Sequence, residues 1–225
     1  MTRVVVLAAV DVEARGLARH LGLARVPGSP WPHFAGGALQ IACVGLRASQ
    51  LRARADRLRP FDLVVSAGAC GALAPELTAG DLVVPHLVLD AAGRRWPTAP
   101  VPRLEAGGTL LTVVEVVETA AQKSRLWLET GARAVDMESA PILAWAAERD
   151  VPGAVVRAVS DSAARGISAA LAASVDEDGR VRPLRAVTAA LARPAALSGL
   201  VELRAGTEAA LKRVAAALAT LAREA

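Results

Sequence analysis

Four acids stand where apolar segments end, and acids in such places can do chemistry. Residues 134–163 read AVDMESAPILAWAAERDVPGAVVRAVSDSA. Asp136 and Glu138 sit at the end of one apolar strand, and Ser160 and Asp161 close the next. An acid near a helix N-terminus complements the helix dipole. That explains one of the first pair, and Asp136 is the one assigned to it. Glu138 is placed to accept two hydroxyl hydrogen bonds at once, for which the vicinal diol of a ribose is the natural partner. Asp161 either caps the turn that follows it or, with its pKa raised by partial burial, protonates a leaving group. Arg157, Val159 and Asp161 share strand parity, so Arg157 could hold that acid. Glu13 follows the first apolar run. It is either a first-turn helix acid or a base that activates water.

A fourth place carries small residues instead of charge. In SAGACGALAPELTAGD (66–81), Gly68 and Gly71 let the backbone approach a ligand, and its amides could meet an anion. The segment is not GxGxxG and no phosphate-loop lysine follows. The first strand-to-helix turn also lacks the glycines of a dinucleotide-binding domain.

The elements that must position these residues follow from periodicity. Apolar runs at 4–10, 38–44, 62–68, 81–89, 110–117, 132–136 and 153–159 predict strands. Helical patterns near 12–20, 47–58, 119–130 and 138–149 alternate with them. The alternation predicts a single-domain, three-layer α/β/α fold over residues 1–225, with a mostly parallel mixed central sheet. Ligands of such sheets collect beyond the carboxyl ends of the strands. Glu13, Asp136, Glu138 and Asp161 all fall at that edge. Residues 90–109 are rich in Gly and Pro and predict a surface loop near it. From about 183 to 225 the chain is rich in Ala, Leu and Arg and predicts a long amphipathic helix broken by Pro183 and Pro194. It would cover the sheet or a subunit interface.

Composition narrows the classes. The chain has 225 residues, 53% of them hydrophobic but only 3% aromatic, so the core must be built from Ala, Val and Leu. The net charge of +4 comes almost wholly from scattered Arg. No basic run with interleaved aromatics marks a nucleic-acid partner. Cys43 and Cys70 form no CxxC pair, and His20, His33 and His86 show no ligand spacing, so no metal site is expected. The run 4–10 is too short to span a membrane and lacks a signal-peptide pattern. The expectation is a cytoplasmic protein with no transmembrane segment.

VVVLAAVDVEA (4–14), SAGACGALAPELTAGDLVVP (66–85), AVDMES (134–139) and VPGAVVRAVSD (151–161) together resemble the nucleoside phosphorylase superfamily, which includes the methylthioadenosine and S-adenosylhomocysteine nucleosidases. The segment GRRWPTAP (93–100) and the tail from Ser160 onward look most like its hopanoid-biosynthesis-associated branch. The resemblance implies cleavage of the N-glycosidic bond of a purine nucleoside of the adenosine type, by a homo-oligomer. It places Glu138 on the ribose 2′ and 3′ hydroxyls, with Met137 beneath the sugar. It makes Asp161 the general acid, oriented by Ser160 and Arg157, and Glu13 the activator of water. Val116 and Val117 would flank the base, and Gly68 and Ala69 would line the site.

Water and phosphate both stay open as nucleophile. The phosphate-binding Gly-Asp-Pro segment of the hexameric phosphorylases is absent, and Ala69 stands where many members have Ser or Thr. Arg47 is the one candidate phosphate contact. No cofactor is implied beyond inorganic phosphate as a co-substrate. The hopanoid branch implies adenosylhopane as substrate, with an apolar groove for its 5′ group lined by Trp96 or the tail. A nucleosidase of small 5′-thioadenosines and a non-catalytic nucleoside- or partner-binding member are the alternatives. Ala69 keeps the last one open, while three acids at one edge argue against it.

Overall fold

The computed structural model describes residues 2–166, 175–180 and 195–224. Its strands are β1 (Val4–Ala8), β2 (Ala24–Arg25), β3 (His33–Gly36), β4 (Leu39–Cys43), β5 (Leu63–Ala72), β6 (Leu82–Val83), β7 (Leu87–Asp90), β8 (Arg95–Pro97), β9 (Thr109–Thr112), β10 (Ala134–Asp136) and β11 (Gly153–Asp161). The α-helices are α1 (Asp11–His20), α2 (Leu51–Ala55), α3 (Ala120–Thr130), α4 (Ser139–Ala147) and α5 (Ala195–Glu224). The strands form one mixed sheet, with β2, β3, β4, β1, β5, β10, β9, β7 and β8 in that order.

Strand β5 organises the sheet. Its first half pairs in parallel with β1, Val4 opposite Leu63. Its second half pairs antiparallel with β10, Ala134 opposite Ala72. Strand β11 runs parallel to nearly its whole length, from Val64 opposite Gly153 to Gly71 opposite Asp161. The ends of β1, β5, β10 and β11 are thereby brought together, and these ends carry the acids.

Two-residue periodicity sends alternate side chains to opposite faces. Val4, Val6 and Ala8 pack with Leu17 of α1 and Leu211, Val214 and Leu218 of α5. Val5 and Leu7 pack on the other face with Leu51 of α2 and Ile142 and Trp145 of α4. Small side chains permit close layers. Gly206 lies so near the Ser160 carbonyl that a Cβ would collide with it. Helix α5 therefore crosses the end of β11 at backbone contact.

The expected three-layer architecture is present, with local differences. Strand β5 continues to Ala72, where a loop after residue 68 was expected. The run 81–89 is two strands, because Pro85 has no N–H for a ladder. The strand expected at 110–117 ends at Thr112. The helix expected over 47–58 is a 3₁₀ turn at Leu46–Ala48 followed by the short α2. Within 90–109, β8 pairs antiparallel with β7.

The tail helix begins just after Pro194, and residues 183–194 lie outside the described residues. Its apolar face covers this chain's own sheet and α1, one of the two placements expected for it. Leu218 is fully buried there. Leu218→Ala is expected to lower unfolding free energy by about 2–5 kcal/mol, seen as a lower denaturant midpoint at unchanged slope. No helix among the described residues is long and apolar enough to cross a membrane.

Candidate active site

Glu13 lies in the first turn of α1, but its carboxylate turns back beneath the end of β1. Oε2 accepts from the Ala9 and Val10 amides at 3.2 and 3.3 Å, and Oε1 from the Ala69 amide at 2.8 Å. Gly68 makes room for it. A Cβ there would stand 2.5 Å from Oε1 and 3.0 Å from Arg157 Nη1, and φ at Gly68 is +152°. Burial pushes the Glu13 pKa up, while nearby Arg157 and the three amides pull it back only in part. The loop glycine and its amides thus serve an acid of the protein itself.

Asp136 and Glu138 divide as their positions suggest. Asp136 Oδ1 accepts from Thr112 Oγ1 at 2.7 Å. Its Oδ2 accepts from the Ser139 amide at 3.1 Å and the Ser139 hydroxyl at 2.5 Å, which ties it to the first residue of α4. Arg157 Nη2 lies 2.8 Å from the same oxygen. Glu138 is also buried, but among the described residues its Oε1 accepts only the Arg47 amide at 3.0 Å, and Oε2 lies 3.6 Å from Arg157. Burial first, then Asp136 and Glu13, push the Glu138 pKa up to about 7 against the pull of Arg157 and the Arg47 amide. The Arg47 amide points there because Arg47 and Ala48 adopt left-handed φ values of 55° and 56°. Non-glycine residues hold that conformation only where the surroundings impose it.

Arg157 was expected to orient Asp161. It bonds Asp136, Ser66 Oγ at 2.9 Å and the Ala69 carbonyl at 3.2 Å instead. A bulge explains the change. Val159 pairs with Cys70, but Asp161 pairs with Gly71, so parity breaks at Ser160. Asp161 is re-aimed, its Oδ1 accepting from Ser160 Oγ at 2.7 Å. Its Oδ2 forms a close ion pair with Lys123 Nζ, from α3. Sequence reasoning passed over Lys123. The signal was present, since Lys123 shares a helix face with Leu126 and Trp127 through i, i+3 and i+4 spacing.

Glu13, Ala69, Met137, Glu138, Ser160 and Asp161 line one cavity of about 300 Å³. Val116 and Val117 form part of its wall, with Val113, Val135 and Lys123. Glu115, Val175 and Thr207 of α5 also reach it and had not been singled out. Gly68 and Arg157 lie behind this lining. Arg47 turns its guanidinium to the Val114 carbonyl at 2.6 Å. It lines a neighbouring cavity with Trp96, Asp90 and Met137. Chemically, the main cavity is apolar walls around two separated acid functions. One carboxylate is held by amides, and another is held by a lysine and a serine. Between them Glu138 has acceptor capacity to spare.

The sequence model of the phosphorylase superfamily matches residues 98–192. The futalosine hydrolase of Streptomyces coelicolor is 35% identical over 158 residues, which cover 56% of this chain and 67% of that protein. The chain belongs to the phosphorylase superfamily. Among solved structures, a futalosine hydrolase of Helicobacter pylori superposes with a TM-score of 0.71 at 18% identity, covering 100% of this chain and 98% of that one. The Helicobacter pylori 5′-methylthioadenosine/S-adenosylhomocysteine nucleosidase with butyl-thio-DADMe-Immucillin-A also has a TM-score of 0.71, at 17% identity, covering 100% and 99%. Both share the fold described above.

Proposed function

We propose that the protein is a nucleosidase that hydrolyses the N-glycosidic bond of a 5′-substituted purine nucleoside. The observation that carries this reading is the Glu13 carboxylate, buried at the cavity and fixed by three amides. A carboxylate there repels a phosphate dianion and accepts a proton from water. The resemblance to the futalosine hydrolase of Streptomyces coelicolor supports the same choice of nucleophile.

The remaining roles follow from the chemistry of a ribosyl C–N bond. Its cleavage passes through an oxocarbenium-like state. Glu138 accepts hydrogen bonds from the 2′ and 3′ hydroxyls and steadies the positive sugar. Asp161 delivers a proton to the departing base, and Ser160 orients it. Met137 lies beneath the sugar, and Val116 and Val117 flank the base. Glu13 takes the proton of the attacking water. Gly68→Ala would push the Glu13 carboxylate aside and is expected to lower kcat about 100-fold, with nucleoside binding by calorimetry retained.

Two 5′ groups fit the reading. Adenosylhopane is favoured by the resemblance to the hopanoid branch, and the apolar lining of the main cavity and of its neighbour at Trp96 supports it. Futalosine is favoured by the Streptomyces relative. The test is free-base release from adenosylhopane, futalosine, methylthioadenosine and S-adenosylhomocysteine, with and without phosphate. Phosphate-independent release is expected. Strict phosphate dependence would overturn the role of Glu13, and no release from any nucleoside would overturn the enzyme reading.

A further inference from the structure

Lys123 is one of the most completely buried charged side chains in the protein, with 1% exposure. A buried ammonium is costly without an acid and acceptors around it. Its Nζ pairs with Asp161 Oδ2 and donates to the Ser162 carbonyl at 2.8 Å. It also forms part of the wall of the main cavity. An anchor for α3 would serve as well at the protein's rim. This one is spent on the carboxylate that faces the departing base.

The seat of Asp161 suits a group that gains and loses a proton. Ser160 Oγ lies 2.7 Å from Oδ1 and 3.2 Å from the Cys70 carbonyl. Its single proton can point at an ionised Oδ1. Alternatively it can turn to Cys70, so that Oγ accepts from a protonated Oδ1. Asp161 and Lys123 meet as an ion pair, Oδ2 against Nζ. A carboxylate so paired can act as an acid only if a proton reaches it, and Nζ is the donor already in contact.

We propose that Lys123 supplies the proton that Asp161 passes to the leaving base. The inference rests on the nucleosidase reading above. As the C1′–N9 bond breaks, its electron pair stays with the base. The purine N7 takes a proton from Asp161, and Asp161 takes one from Lys123 Nζ, which becomes a neutral amine. Water bonds to C1′ and gives its proton to Glu13. After the products leave, Glu13 releases that proton to solvent and Lys123 regains one. Lys123 is thus a positioning residue and proton store, acting through Asp161.

The test compares two leaving groups on the full chain. One is the purine nucleoside that the wild type cleaves best. The other is 4-nitrophenyl β-D-ribofuranoside, whose leaving group departs without a proton. Lys123→Arg keeps a cation beside Asp161 but holds its own proton, so it is expected to lower purine release by about 10²–10⁴-fold, as Asp161→Asn does, and to lower nitrophenolate release far less. Lys123→Met removes the cation and lets the buried carboxyl take a proton from solvent, so part of its purine release is expected to return relative to Lys123→Arg. An equal loss on both substrates in Lys123→Arg would reduce Lys123 to an anchor and overturn the proposal. Wild-type purine release by Lys123→Arg would overturn it too, by showing that charge alone suffices. A wild type that releases no base from any purine nucleoside would instead bring down the nucleosidase reading.

Discussion

Glu13→Gln is expected to lower hydrolytic kcat by about 10²–10⁴-fold while the KM for the nucleoside changes little. The substitution preserves volume, yet an amide cannot take a proton from water. Its NH₂ must also face a main-chain donor whichever way it turns, because the Ala69 amide meets one oxygen and the Ala9 and Val10 amides meet the other. Steady-state rates across pH give a second check. In the proposed reaction the base works ionised, so activity should fall as pH drops through the Glu13 pKa. Burial raises that pKa, so the fall begins above the ordinary carboxylate range. Glu138, pushed up to about 7, adds a second descending limb on the acid side. Glu13→Gln should remove the first limb and keep the second.

Arg157→Met is expected to destabilise the fold by about 3–5 kcal/mol near neutral pH. Burial opposes the charge of Arg157, but Asp136, Glu138 and Glu13 around it raise its pKa above the ordinary value. Without the guanidinium, those acids share a dry interior with no cation among them. Their carboxyls then favour the protonated form in the folded state. The loss should therefore be largest at neutral pH and shrink as pH falls toward the unfolded carboxyl range. Urea midpoints measured from pH 5 to 8 would show this. A deficit that does not vary with pH would mean that Arg157 acts by packing alone.

The sheet was legible because Val, Leu and Ala runs of strand length are separated by helical periods, and the layers follow from that alternation. Glu13, Glu138 and Asp161 were legible as a group because each ends a strand of one edge. Asp136 could be assigned to helix α4 from its position alone. Other features depend on contacts that no periodicity encodes. The bulge at Ser160 turned Asp161 away from Arg157, and strand parity could not show that. Lys123 lies on α3, remote in sequence from Asp161. The length of β5 was underestimated because Gly68 and Gly71 suggest a loop, whereas Gly68 stays in the strand to admit Glu13. The 3₁₀ turn at Leu46–Ala48 sits inside a helical pattern, and its backbone is set by the ties of Arg47 to Glu138 and Val114.

The shared strand β5 also has a consequence for synthesis. A chain growing from its N-terminus can pair Leu63 with Val4 at once, but Val64 must wait for Gly153. Until then LVVSAGACGA offers a bare edge of unpaired amides and carbonyls. The helix that later covers this face, α5, is made after all of these strands. A nascent chain stalled before residue 153 would expose an apolar template to its neighbours on the same message. In a crowded cell, the hazard for this protein lies in the interval between making β5 and making its partner.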